Sequence, residues 1–164
     1  MEGLFMAKIK RGYSCFEDIT RKERIRENPV QKIKLWVTNV RRTYHRAKYG
    51  FCDFDVWEMD SWFLTVVPAM LEHLRDDHSG FPDAIYDYYP EIDRETDEDG
   101  EKASQKWNEI LTDMITIFDE LYPYESRGIS AGHTLTPQEI LQRRDELKAR
   151  GFELFSRWFF SFWD

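Results

Sequence analysis

At 164 residues and 19.8 kDa the chain is long enough to build a hydrophobic core without disulfides or metals. With 41 % apolar and 16 % aromatic residues, six of them Trp, it is too apolar for a disordered chain despite 33 % charge. The net charge of −8 is unevenly laid out: residues 1–50 hold 13 Lys/Arg against 5 Asp/Glu, and residues 51–164 hold 10 against 26. A basic first third thus precedes an acidic body, and either its charges complement one another in the fold or one surface meets an oppositely charged partner.

Residues 1–28 have irregularly spaced apolar residues and a highly charged stretch, which reads as an N-terminal arm preceding a helical domain over 29–164. Lys8, Lys10 and Arg11 stand where a secretory leader needs its apolar segment, and the longest apolar run, residues 62–71, is broken by Thr65. Neither a leader nor a membrane span is expected. Cys15 and Cys52 lie far apart without CxxC spacing and read as reduced thiols.

Asn28-Pro29 is a helix-start signal, and Ile33, Trp36, Val37, Val40, Tyr44 and Ala47 recur on one face. The first long helix, about 29–48, is therefore amphipathic, with Lys32, Lys34, Arg41, Arg42, Arg46 and Lys48 off that face. A turn at Gly50 follows. Asp55 and Glu58 stand at capping-box spacing, which predicts a second helix over about 55–75, central to the fold, with Pro68 as a kink. Asp60 interrupts its apolar face, and a buried carboxylate there would need Arg41, Arg42 or Arg46 as a partner.

Residues 76–100 form a long connection, tyrosine-rich and then acidic. Phe81, Ile85, Tyr86 and Tyr89 are expected to pin its first half to the body while the acidic second half stays solvated. Trp107, Ile110, Leu111, Met114, Ile115, Phe118 and Leu121 then give the stripe of a third helix over about 102–122. Thr136-Pro137-Gln138-Glu139 is a capping box with Pro at the first helical position, opening a fourth helix over about 137–162 in which Gly151 is a weak point. The chain ends in residues apolar on every side, Trp158 to Trp163, to be buried in the core or against a partner. The fold class is all-α, a bundle of four main helices.

Chemistry is sparse. His73 and His78 flank Asp76 and Asp77, but five residues separate them by about 140° around a helix, and the Glu-x-x-His pairs of di-iron bundles are missing. There is no GxSxG, P-loop, GxGxxG or HExxH sequence, and no metal or other cofactor is called for. An enzyme would have to assemble its site from Asp60, His73 and His78. The basic face of the first helix, with the stretch 41–51 interleaving Tyr44, Tyr49 and Phe51 with cations, suggests nucleic-acid contact, although the acidic body opposes a phosphate backbone. The acidic run could equally mimic that backbone on a DNA-binding partner.

Three blocks, Tyr49-Gly50-Phe51 with Asp55-Val56-Trp57, Trp107 to Leu111 with Met114-Ile115 and Phe118, and Leu154-Phe155 with Trp158-Phe159 and Phe162-Trp163-Asp164, resemble a family of small uncharacterised proteins of tailed bacteriophages. The resemblance covers about residues 32–164. It implies a virus-encoded accessory protein in the cytoplasm of an infected bacterial host, a non-enzymatic binder that modulates or inhibits a host or defence factor. Candidate partner surfaces are the C-terminal Trp158, Phe162 and Trp163. The alternative is a homo-oligomer that sequesters a nucleotide signal, with Arg41, Arg42 and Arg46 for phosphate and Tyr86, Tyr88 and Tyr89 for stacking.

Overall fold

A computed structural model describes residues 29–97, 100–126 and 136–162. The proposed arm, Cys15 and Trp163 lie outside the described residues. The fold is all-α: among the described residues there are six α-helices and no strand. We number them α1 (Pro29–Tyr49), α2 (Asp53–Trp57), α3 (Met59–Asp77), α4 (Ala84–Tyr88), α5 (Glu101–Ser126) and α6 (Pro137–Trp158), the last continuing into a short 3-10 turn, Phe159–Ser161. The chain divides into two compact units, with the boundary between Phe63 and Leu64, inside α3.

In the N-terminal unit, α1 ends where expected. Gly50 takes φ +82°, a left-handed conformation open to glycine at little cost, and its N–H closes on the Arg46 carbonyl at 2.9 Å. The second helix differs from the expectation of one helix starting at Asp55. Cys52 is the N-cap, which puts Asp55 at the third helical position, where its carboxylate accepts the Cys52 backbone N–H at 2.8 Å. The chain then breaks at Glu58, whose backbone leaves the helical region (φ −117°, ψ 47°), and α3 begins one residue later. Asp60 falls in the exposed first turn of α3 rather than on a buried face, so it needs no arginine.

In the C-terminal unit, α3 continues through Pro68, whose ring is fully buried. The connection after it contains the short helix α4, with Ile85 wholly buried. The acidic run is not solvated throughout. Ile92 and Asp97 are buried, and Asp97 accepts the N–H groups of Lys102 and Ala103, both at 3.0 Å, and so caps α5. Burial pushes the Asp97 carboxyl up, but these two N–H groups, the Tyr86 hydroxyl and the Lys102 charge together bring it below its ordinary value. Acid therefore weakens this cap.

Helices α5 and α6 are antiparallel neighbours: Glu120 meets Arg143 at 2.7 Å and Asp113 faces Arg150 at 3.9 Å. The predicted stripe of α5 is the core, with Trp107, Leu111, Met114, Phe118 and Leu121 all buried. Helix α6 opens on the expected box: the Glu139 N–H donates to the Thr136 hydroxyl at 3.3 Å, and the Thr136 N–H donates back to the Glu139 carboxylate at 2.6 Å. Gly151 is a point of close approach rather than a weak point. A Cβ there would sit 2.9 Å from Ile117 Cγ2 and 3.0 Å from Phe118 Cε1.

Alanine is the better helix former by about 1 kcal/mol, yet at position 151 it must push two core side chains apart. Overpacking of about 1–3 kcal/mol less that gain leaves Gly151→Ala less stable by up to about 2 kcal/mol, read as a fall in Tm by thermal melting. A raised Tm would contradict the packing.

Candidate interaction surface

The N-terminal unit is built round one ion pair. The Arg46 guanidinium grips Asp55 through two parallel hydrogen bonds, Nε to Oδ2 at 2.8 Å and the terminal nitrogen to Oδ1. Asp55 is 2 % exposed and Arg46 15 %. Burial pushes the Asp55 carboxyl up, but hydrogen bonds from Arg46 and Cys52 and the guanidinium charge outweigh it and hold the group below its ordinary 3.8. Arg42, one turn earlier, lies over the Phe54 ring at 4.4 Å. Two side chains of α1 are thereby tied to α2.

The face of α1 that carries this tie is the covered one. Leu35, Arg42 and Arg46 are half-buried and Asn39 wholly buried, at a spacing of four, three and four. The apolar stripe lies about 200° away around the helix and is left in solvent: Ile33 is 65 % exposed, Trp36 62 % and Tyr44 58 %, with Val37 and Val40 also exposed. Sequence periodicity alone would turn this stripe inward. The surface continues through Tyr49, Phe51 and Val56 to Trp57, which is 88 % exposed. Around the Gly50 turn, Tyr49, Phe51, Val56, Met59 and Trp62 surround Asp55 in a cleft of about 520 Å³. Soluble monomers rarely expose apolar side chains in such a contiguous group.

The residues proposed from sequence are distributed as follows. Arg41 is 70 % exposed, 3.9 Å from Asp53, while Arg42 and Arg46 make the contacts above. These arginines belong to the N-terminal unit, and the three tyrosines belong to the C-terminal one. Tyr86 lies under Arg94 at 4.9 Å and reaches Asp97 at 3.4 Å; Tyr89 lies under Lys106 at 4.7 Å. Tyr88 stacks edge-on against Trp158 at 5.2 Å. Trp158 is fully buried, also touching Trp107 at 5.5 Å, so its ring fills the core and offers no surface. Phe162 is half-buried against Trp107 and Phe155, whereas Phe160 is 86 % exposed.

His73 pairs with Asp77 at 2.9 Å and His78 meets Asn108 at 2.9 Å, so the two histidines serve different partners. Among the described residues no group of three His, Cys, Asp or Glu is placed to hold a metal ion, and no helix is long and apolar enough to cross a membrane. Cys52 is a buried free thiol. No protein-family model, curated protein or solved structure matches the chain.

Removing one member of a buried ion pair strands the other. Asp55→Ala should destabilise the protein by about 3–5 kcal/mol. Because the folded value of Asp55 lies below 3.8, its contribution is complete above that pH and is lost as pH falls through the folded value. Urea unfolding of wild type and Asp55→Ala from neutral to acid pH checks both size and sign. Equal stability of the two at neutral pH would contradict the assignment.

Proposed function

We propose that the chain is a non-enzymatic accessory protein of the tailed-phage type, which binds a bacterial host or defence protein and modulates or inhibits it. The contact surface in this reading is the outward stripe of α1. The observation that supports it is the exposure of Ile33, Trp36, Val37, Val40 and Tyr44 on a helix whose opposite face is fixed by Arg46. Burial of apolar surface is worth about 25 cal/mol per Å², and a stripe of aliphatic and aromatic side chains can anchor a partner where the bulk of an acidic, solvated surface cannot.

A functional stripe can be altered without harming the fold. In the Val37→Asp/Val40→Asp variant both substitutions fall on exposed positions, so the change in stability should stay within about 1 kcal/mol. Cross-linking in infected bacterial cells should give a defined adduct joining α1 of the wild type to one protein, and the variant should lose it. An unchanged adduct in the variant would overturn the assignment of α1.

A further inference from the structure

The exposed stripe of α1 carries a more specific pattern than amphipathicity. Val30, Ile33, Val37, Val40, Tyr44 and Ala47 recur with spacings of three, four, three, four and three. These are the a and d positions of a heptad repeat, Val30, Val37 and Tyr44 at a, Ile33, Val40 and Ala47 at d. All six are exposed. The covered residues Leu35, Asn39, Arg42 and Arg46 fall at positions f and c, on the far side, so the anchored face and the seam do not compete. From Val30 to Ala47 the seam is about 26 Å long at ~1.5 Å per residue.

The flanks of a heptad seam select the partner through charge. Every e position is cationic, Lys34, Arg41 and Lys48, while the g positions hold the uncharged Trp36 and Thr43. The helix as a whole contains no acidic residue. A second copy of the chain would set cation against cation in an antiparallel pair, and cation against Trp36 and Thr43 in a parallel one. Residues 1–28 hold seven Lys/Arg against five Asp/Glu and are no better a match. A helix with acidic residues beside its own apolar seam complements α1 in either direction.

We propose that α1 is one strand of a heteromeric coiled coil, taking as its partner an acidic amphipathic helix of another protein. The inference rests on the reading of α1 as the contact surface and adds to it the partner's chemistry. The short seam gives a reversible complex, and its cationic flank makes that complex weaken as salt rises.

The test uses the full chain and three labelled synthetic peptides of three heptads: one with Ile at a, Leu at d and Glu at e and g, one with Lys replacing Glu, and one with the Glu peptide's composition scrambled. Fluorescence anisotropy at low and high salt reads the affinities. We expect the Glu heptad peptide to bind, the Lys and scrambled peptides not to, and binding to weaken with salt. The Lys34→Glu/Arg41→Glu/Lys48→Glu variant should bind the Glu peptide about a hundredfold more weakly, as three attractions become repulsions, and should accept the Lys peptide instead. Equal binding of the heptad and scrambled peptides would overturn the coiled coil in favour of simple charge attraction. Dimerisation of the chain in sedimentation, abolished by Val37→Asp/Val40→Asp, would assign the seam to a second copy. Tighter binding of a single-stranded oligonucleotide than of the Glu peptide would assign the face to nucleic acid. If the charge reversal leaves the adduct in infected cells intact while Val37→Asp/Val40→Asp removes it, the partner chemistry fails and α1 as contact surface stands.

Discussion

The Arg46–Asp55 pair is the constraint on which the surface of the N-terminal unit depends. A carboxylate 2 % exposed is costly to bury, and three donors, two from the guanidinium and one from the Cys52 backbone, compensate it. The pair reaches across the Gly50 turn and fixes the rotation of α1 about its own axis. Once position 46 is turned toward α2, positions 42, 39 and 35 follow by helical repeat, and the opposite stripe has nowhere to go but outward. Here the face that carries the ion pair is covered and the apolar stripe is exposed. Asn39 shows the cost: its side-chain amide is buried without a hydrogen-bond partner among the described residues, a placement no helix would adopt for its own sake.

The C-terminal unit follows the opposite logic, with apolar burial dictating position throughout. Trp107, Phe118 and Trp158 are almost wholly enclosed, and ring contacts link α6 to both α5 and α4. Phe118 is met by Phe152 and Phe155 at 5.8 and 5.9 Å, beside the gap that Gly151 leaves. Such edge-on aromatic contacts add to area burial. Charged groups are kept to the margins, as in the Glu120–Arg143 bridge, or to the helix end that Asp97 caps. The C-terminal unit therefore buries the apolar stripe of α5, whereas the N-terminal unit turns the stripe of α1 outward.

The legible part of the sequence was the part governed by local rules. The capping box at Thr136 and Glu139, the turn at Gly50 and the stripe of α5 each depend on residues within a few positions of one another, and each appears where the pattern puts it. Local signals also misled. Asp55 and Glu58 have capping spacing, but Cys52 to Asp55 has it too, and the second pair wins because Asp55 is also held by Arg46. The arginine partner was expected at Asp60, but Arg46 reaches Asp55, nine residues on across the Gly50 turn. The stripe of α1 was visible as a stripe, but periodicity says only that an apolar face needs cover and is silent on who provides it. The useful signal was the exclusive cationic flank, which has no place beside a core. For the candidate binding residues, Trp158 illustrates why composition was insufficient: an aromatic run at a chain end looks the same whether it fills a core or awaits a partner.

The outward rotation of α1 is the central claim, and cysteine accessibility tests it directly. In a Cys15→Ser background, where Cys52 is buried, Val37→Cys and Asn39→Cys place a thiol on opposite sides of one helical turn. Rates of reaction with a small thiol reagent under native conditions should then be fast at position 37 and slow at position 39, with the difference lost in denaturant. Fast labelling at 39 with protection at 37 would mean that the stripe faces inward, and the interaction surface described for α1 would not exist.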